Sequence, residues 1–363
     1  MSSLIVEVCR IEELIPIEGA DRIVSARIKG WYSIVGKDQF KVGDSCIFLP
    51  PDSLIPDALI EKYNLTYLKN GNRVRPLKLK KFVSQGLVLE NYENLPVGTD
   101  VRERYNIGKW EPVVQQPSKG KKQGRKLRVV NPHFHKYTDL ENVRNFNDIF
   151  KDGDKVAVTE KIHGTNFRCG NLKRGIRDNF FLKLWDKLMI AIYGEYEFVY
   201  GSHNVQLRSV RQKNFYDGNV YYDAVKKYEL DKYCPKDTIV YGEVYGKAVQ
   251  DLEYGLKEET DLVVFDVKIN DKYISYPELV GFCFAHKLPL APELYVGDYN
   301  QDVISKYTKG DSLLASLHGA KQIREGIVIK SFEEDVHPKL GRKILKSISE
   351  DYLTRKGNQT EFH

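Results

Sequence analysis

Through residues 1 to about 112, apolar positions come in short runs separated by turn formers. "LIVEVCRI", "RIVSARI", "YSIVG", "SCIFLP" and "QGLVLE" are β-prone, and Gly30, Gly43, Pro50, Pro51, Pro56 and Gly86 punctuate them. Five or more short strands in roughly 100 residues predict a small barrel or sandwich. The pattern changes from about residue 127. "VAVTEK", "DTIVYGEVYG", "DLVVFDV", "EGIVIKS" and "KILKSIS" read as strands that alternate with helical stretches. One predicted helix, 277–288, opens on a proline, which the first helical turn tolerates. Another, 180–196, is apolar over most of its length and ends near Gly194. The final residues, from Ser349 on, allow one short helix.

Between these halves, residues 115–126 ("QQPSKGKKQGRK") are basic and nearly free of apolar side chains, which predicts a linker. The expected organisation is therefore a β domain over 1–114, a linker over 115–126 and a second domain over 127–363. No internal repeat is visible. Apolar runs are strand-length, so neither a transmembrane span nor a signal peptide is expected, and no membrane partner. Cys9, Cys46, Cys169, Cys234 and Cys283 are scattered without a C-x-x-C pair. That spacing argues for reduced thiols and against a zinc site or a disulfide framework. The expected setting is intracellular, cytoplasmic by default, with nuclear, organellar or viral settings open. Net charge is +6, a mild bias that fits a polyanionic partner without requiring one.

Candidate chemistry centres on "TEKIHGTNF", 159–167, where a β-prone run ends in Lys161. A free lysine has a pKa near 10.4, so holding its amine neutral at pH 7.4 costs about 4 kcal/mol. A nucleophilic lysine needs a setting that disfavours its charge. Gly164 allows a close approach of backbone, and Thr165 and Asn166 add polar groups without charge. Downstream, Glu243, Asp266, Glu325, Lys330, Lys343 and Lys346 all lie on β-prone segments. Buried charges are costly unless paired or used. Two carboxylates and several ammonium groups could together hold a hydrated divalent metal and a triphosphate.

The ordered set "EKIHGTNF", "VYGEVYG", "VVFDV", "EGIVIK" and "ILKS" resembles the five nucleotidyltransferase motifs of the covalent ligase and capping-enzyme superfamily. Its Lys-x-His-Gly-Thr-Asn form is similar to the RNA ligase 2-type branch. The segment 19–56 resembles the OB-like domain of the RNA ligase 5 subgroup, where that domain precedes the catalytic one. The resemblance implies an α+β protein: an N-terminal OB-like β-barrel, then an adenylyltransferase domain of antiparallel sheets with flanking helices. It implies an ATP-dependent RNA ligase that uses Mg2+ or Mn2+ and joins 3′-hydroxyl and 5′-phosphate ends, with duplex nicks as the expected substrate. Lys161 would attack the α-phosphorus of ATP to give lysyl-AMP. AMP would pass to the 5′-phosphate and then leave as the 3′-hydroxyl attacks. Glu243 and Glu325 match carboxylates for the nucleotide and the metal waters. Phe265 matches the aromatic that stacks on adenine. Lys330, Lys343 and Lys346 match phosphate contacts. Glu160 and Ile162 would line the nucleotide pocket, and Asn166 matches a residue of the sealing step.

Two departures from the family pattern stand out. The last motif usually spaces its lysines as K-x-K, whereas Lys343 and Lys346 are three apart and face opposite sides of an extended strand. Lys346 is the better α-phosphate contact. Where the family often has an arginine after the nucleophile, this chain has Ser202, His203 and Asn204, expected at the nucleic-acid end. His203 would take the arginine's place, with Arg208 and Arg211 as substitutes. Lys78, Lys80 and Lys81 give the small barrel a basic face suited to nucleic acid. The competing readings are a DNA ligase or GTP-using capping enzyme, whose OB domain usually follows the catalytic one, and a catalytically dead binding module. A monomer is expected.

Overall fold

The computed structural model describes residues 3–65, 68, 72–80, 82–110, 130–207 and 219–355. The expected linker at 115–126 lies outside the described residues, as do Lys81, Arg208 and Arg211. The described residues within Met1–Val114, Asp139–Phe150 and Leu345–His363 form one compact unit. Those within Gln115–Thr138 and Lys151–Ile344 form the other.

The first unit bears out the short-strand pattern. Strands β1 (Glu7–Arg10), β2 (Glu13–Pro16), β3 (Ile23–Ile28), β4 (Trp31–Gly36), β5 (Ser45–Leu49) and β6 (Leu87–Glu90) form two antiparallel three-stranded sheets, β1-β5-β6 and β2-β3-β4. Alternation turns Ala26, Ile28, Trp31 and Phe48 into one apolar cluster and Val6, Val8, Ile47 and Leu49 into another. Gly30 is needed where the β3–β4 turn meets Arg144, because a Cβ there would lie 2.8 Å from the arginine Cα.

The second unit is built from two antiparallel sheets. One contains β7 (Lys155–Lys161) between β12 (Glu293–Asp298) and β13 (Gly326–Ser331). The other runs β9 (Tyr196–Ser202), β8 (Thr165–Lys173), β10 (Thr238–Gly246), β11 (Thr260–Ile269), with a two-residue strand at each edge. Helix α1 (Phe180–Tyr193) joins β8 to β9 and stops at Gly194, whose φ of +86° suits glycine. Helix α2 (Tyr276–Ala285) starts where the sequence placed it. A Ser275–Glu278 capping box and a proline in the first turn set that start. Strand β14 (Ile344–Ile348) begins in the second unit and ends in the first. The short helix Glu350–Leu353 follows it, as the pattern allowed. Among the described residues no helix is long and apolar enough to cross a membrane.

The link between the two sheets positions the site. β7 ends at Lys161 on the smaller sheet, and β8 begins at Thr165 on the larger one. Three residues, Ile162, His163 and Gly164, carry the chain across.

Candidate active site

Register places the first carboxylate. Lys161 pairs with Gly326, so Glu325 lies beside the end of β7. Lys161 Nζ donates to Glu325 Oε1 at 2.8 Å, and Glu325 is fully buried. The second carboxylate arrives from the other sheet, where Asn166 pairs with Glu243. Gly164 lies flat against that strand. A Cβ on it would sit 2.2 Å from the Val244 carbonyl oxygen and 2.9 Å from Glu243 Cγ. No side chain larger than hydrogen fits, so the turn glycine is what lets the two sheets approach at this point.

Electrostatics sets this cluster apart. Burial pushes the Glu243 carboxyl up to about 8; Lys161 and the Gly164 N–H oppose the shift, and Glu325 adds to it. Two carboxyls face one ammonium, so in the ligand-free protein near pH 7 a proton on Glu243 balances the cluster, and a bound cation would displace that proton. Asn166 Oδ1, on the strand next to Glu243, is buried without a hydrogen-bond partner.

An apolar wall adjoins the carboxylates. The β10–β11 register steps from Tyr241–Asp266 to Gly242–Val264, which leaves Phe265 as the extra residue of a β-bulge. A bulge re-aims its side chain. Phe265 meets Tyr137 edge-on at 4.8 Å and packs on the cluster that contains Ile162. Ile162 and Phe265, expected around a nucleotide base, are thus brought together. His163 is held at two points. Its N–H donates to the Tyr254 hydroxyl at 2.7 Å, and its Nε2 lies 2.9 Å from Asp251 Oδ1.

With that arrangement in view, the comparisons with known proteins become decisive. The RNA ligase family profile matches residues 154–348, more than half of the chain. The chain belongs to the RNA ligase family. An OB-fold domain profile matches residues 5–91 of the ligase, so the first unit's two small sheets belong to an OB fold. Solved structures of Naegleria gruberi RNA ligase share the fold. One with PPi aligns at 23% identity and a TM-score of 0.71 over 97% of this chain and 98% of the other. A mutant of that protein with AMP and Mn aligns at 22% and 0.73 over 97% and 98%. Another with ATP and Mn aligns at 23% and 0.70, with the same coverage. No curated protein sequence matches the ligase.

Lys330, Lys343 and one oxygen of Glu160 are engaged by partners other than Lys161 and its carboxylates. Lys330 sits opposite Ala157, four residues along from the Lys161–Gly326 pair, a displacement of about 13 Å. Its Nζ lies 3.5 Å from Asp266 Oδ1. Lys343 pairs with Asp154 at 3.1 Å and Asp335 at 3.2 Å. Asp154 precedes the opposite end of β7, so a phosphate contact beside Lys161 does not match the position of Lys343. Lys346 is buried on β14 and registers with Asn142. Glu160 follows strand alternation away from Lys161. Its Oε2 accepts from the Leu313 and Leu314 N–H groups at 2.9 and 3.1 Å, capping the helix Leu313–Leu317, although its Oε1 is buried without a hydrogen-bond partner. The pocket-lining role expected of Glu160 thus gives way, for one oxygen, to a helix cap.

Ser202 pairs with Phe167, one register step from Asn166–Glu243, so the turn after β9 lies at the catalytic end of the larger sheet. His203 there is not a substitute for arginine. Burial, helped by Lys136 and Arg168, pulls its pKa down to about 4, and the imidazole is neutral at pH 7. Asn204 accepts from Lys136 at 2.8 Å. Buried Arg168 secures this turn by donating to the Ser202 and Phe134 carbonyls at 3.0 and 2.5 Å. The sequence reading missed Arg168, Tyr137 and Arg342. Tyr137 donates to Asp266 at 2.8 Å, and Arg342 pairs with the same carboxylate at 3.0 Å. An available signal was a charge set directly between apolar neighbours on a β-prone segment, as at Arg168 between Phe167 and Cys169.

Proposed function

We propose that this RNA ligase uses ATP to join 3′-hydroxyl and 5′-phosphate RNA ends at duplex nicks, through a lysyl-AMP intermediate on Lys161. The observation that carries the reading is the Lys161 amine, 2.8 Å from Glu325 and coupled to a Glu243 carboxyl pushed up to about 8. A covalent nucleophile surrounded by surplus carboxylate suits attack on a polyphosphate escorted by a divalent cation. The Naegleria relative's structures carry ATP, AMP, PPi and Mn, which agrees with that choice of nucleotide and metal.

Glu243 and Glu325 fit Mg2+ or Mn2+ by their chemistry, two buried carboxyls facing one ammonium, of which Glu243 would give up its proton to the cation. Among the described residues no group of three or more His, Cys, Asp or Glu side chains forms a metal site, so these two carboxylates would hold the ion through its waters. When bound, the ion supplies charge neutralisation to the triphosphate. The chain's own groups perform the transfers. Lys161 Nζ bonds to the α-phosphorus while the bond to the bridging oxygen breaks and pyrophosphate leaves with the electron pair. Glu325 Oε1, already the hydrogen-bond acceptor of Nζ, is positioned to take its proton. A 5′-phosphate oxygen then attacks the same phosphorus and frees the amine. The strand's 3′-hydroxyl next attacks the activated 5′-phosphate, and AMP leaves. Phe265 and Ile162 receive adenine. Asn166, with Ser202, His203 and Asn204, faces the nucleic-acid end. Lys346 is carried over from the family's last motif as the α-phosphate contact.

The test incubates the pure protein with Mg2+ and radiolabelled ATP or GTP, followed by acid treatment of any adduct. An acid-labile ATP adduct that is absent without metal and absent in Lys161→Ala is expected. Labelling by GTP alone would mean a capping-type enzyme, and no adduct would mean a binding module. Sealing of matched RNA, DNA and hybrid nicks tests the strand preference.

A further inference from the structure

Helix α1 reverses the usual rule of burial. Over its 14 residues it buries none, and Phe180, Phe181, Leu184, Trp185, Leu188 and Ile192 are each 50% to 78% exposed. At 100° per residue these six fall on one continuous face, in the rows Phe180–Leu184–Leu188 and Phe181–Trp185–Ile192. The charges lie on the other side. Asp186 is turned inward, where the Arg177 guanidinium grips both its oxygens at 2.8 and 2.5 Å. That leaves exposed Lys183 and Lys187, one turn apart, at the margin of the apolar face. The Asn179 side chain satisfies the first-turn N–H groups of Phe181 and Leu182. The helix is therefore well capped, although no core holds it.

We propose that α1 is a membrane-surface anchor, lying in the headgroup region of an anionic bilayer with its apolar face inward and Lys183 and Lys187 at the phosphate level. Charge selects the partner. The helix's acid is neutralised and its exposed charges are both positive, which complements anionic lipid. Length selects the mode, since 14 residues extend about 21 Å while a span needs about 30 Å of hydrocarbon. Charge, not area, separates the bilayer from a second copy: six such side chains from each of two copies would bury on the order of 1,500 Å² in total, close to the roughly 1,600 Å² of a standard interface, but two copies would also bring together like-charged lysine margins. The expectation of no membrane partner rested on the lack of a span, and a helix lying in the interface is a separate case.

Topology keeps the reaction clear of the lipid. β8 starts beside the Lys161 turn and runs nine residues to Lys173, so α1 is entered at the far end of the sheet, about 27 Å from the catalytic loop. The anchor and the adenylation site can then fail independently.

The test uses the full-length protein, co-sedimented with phosphatidylcholine vesicles with and without phosphatidylserine, and follows tryptophan emission. Binding to the phosphatidylserine vesicles with a blue shift is expected. Leu184→Glu with Leu188→Glu should cut it about a hundredfold. Lys183→Gln with Lys187→Gln should cost about thirtyfold on anionic vesicles. Adenylate formation at Lys161 should be unchanged in both variants, which shows that they fold. The proposal is overturned if the intact protein ignores phosphatidylserine vesicles. In that case, a dimer by light scattering that Leu184→Glu dissolves would assign the face to a second copy. Weakened RNA binding in the same variant would assign it to RNA, and a monomer unaffected in both would leave α1 simply exposed.

Discussion

Two buried acid clusters in the catalytic unit have opposite charge balance. Asp266 is fully buried and faces Lys330, Arg342 and the Tyr137 hydroxyl. Burial pushes its carboxyl up, but Lys330 and Arg342 outweigh burial and hold it below the usual range. Glu243 and Glu325 share a single ammonium, and Glu243 is pushed up to about 8. The first cluster is complete and acts as structure. The second has one cation for two carboxyls, so Glu243 keeps a proton near pH 7, and a divalent metal is what would take that proton's place.

The difference can be broken most severely at Lys161, the proposed nucleophile. Lys161→Ala should lower the rate of adduct formation by at least about a thousandfold, since no other group supplies the covalent step. Thermal stability should fall as well, because the variant takes from buried Glu325 the ammonium that pairs with it and from Glu243 the charge that opposes its raised pKa.

Asp266→Asn should do the reverse. It leaves buried Lys330 without its counter-charge and Arg342 with Glu334 alone, at a cost of about 3–5 kcal/mol. Urea denaturation would show this as a lower midpoint with an unchanged slope. If the variant were as stable as the parent, the reading of Asp266 as a structural keystone would be wrong.

Gly164→Ala tests how the two sheets are joined. The added methyl meets the Val244 carbonyl at 2.2 Å, so the turn must shift. A loss of about 1–3 kcal/mol is expected, together with a drop in adenylation larger than the loss of folded protein explains. Thermal melts run beside single-turnover labelling separate the two effects.

The smallest effect is in pH dependence. Glu243 binds its proton more tightly when folded, so the ligand-free protein loses stability as pH rises from about 4.5 to about 8. Glu243→Gln does not titrate, and its Tm advantage over the parent should therefore grow across that window. Asp266 has the opposite sign. Its lowered pKa contributes stability above about pH 4 that is lost as pH falls further. Differential scanning calorimetry from pH 3 to pH 9 would resolve both. A Glu243→Gln advantage that shrank with rising pH would contradict the charge deficit at the site.

Much of the fold could be read from the chain because it rests on local signals. Alternation in "RIVSARI" and "YSIVG" survives as β3 and β4, and the proline and acidic cap of "SYPE" start α2 where expected. The core of the site was legible for a related reason. Lys161, Glu243 and Glu325 are charges on strands otherwise suited to burial, and such positions are tolerated when they are used. Lys330, Lys343 and Glu160 look the same in sequence. Their partners, Asp266, Asp154 with Asp335, and the Leu313 N–H, come from distant segments, so their placement was not legible. His203 failed for a similar reason: the burial that removes its charge is set by the surrounding fold.

The linear order of residues was enough to single out strand and helix types, the OB-like first unit, and Lys161, Glu243 and Glu325, the three charges the fold brings together. Periodicity and turn chemistry act over a few residues and need no knowledge of neighbours in space. Tertiary structure decided which charges are balanced. It paired Asp266 with two cations and left Glu243 and Glu325 with one, and it turned one face of α1 outward with nothing over it. Charge balance and burial are sums over side chains far apart in the chain, 189 positions between Asp154 and Lys343, and only the folded chain performs that sum.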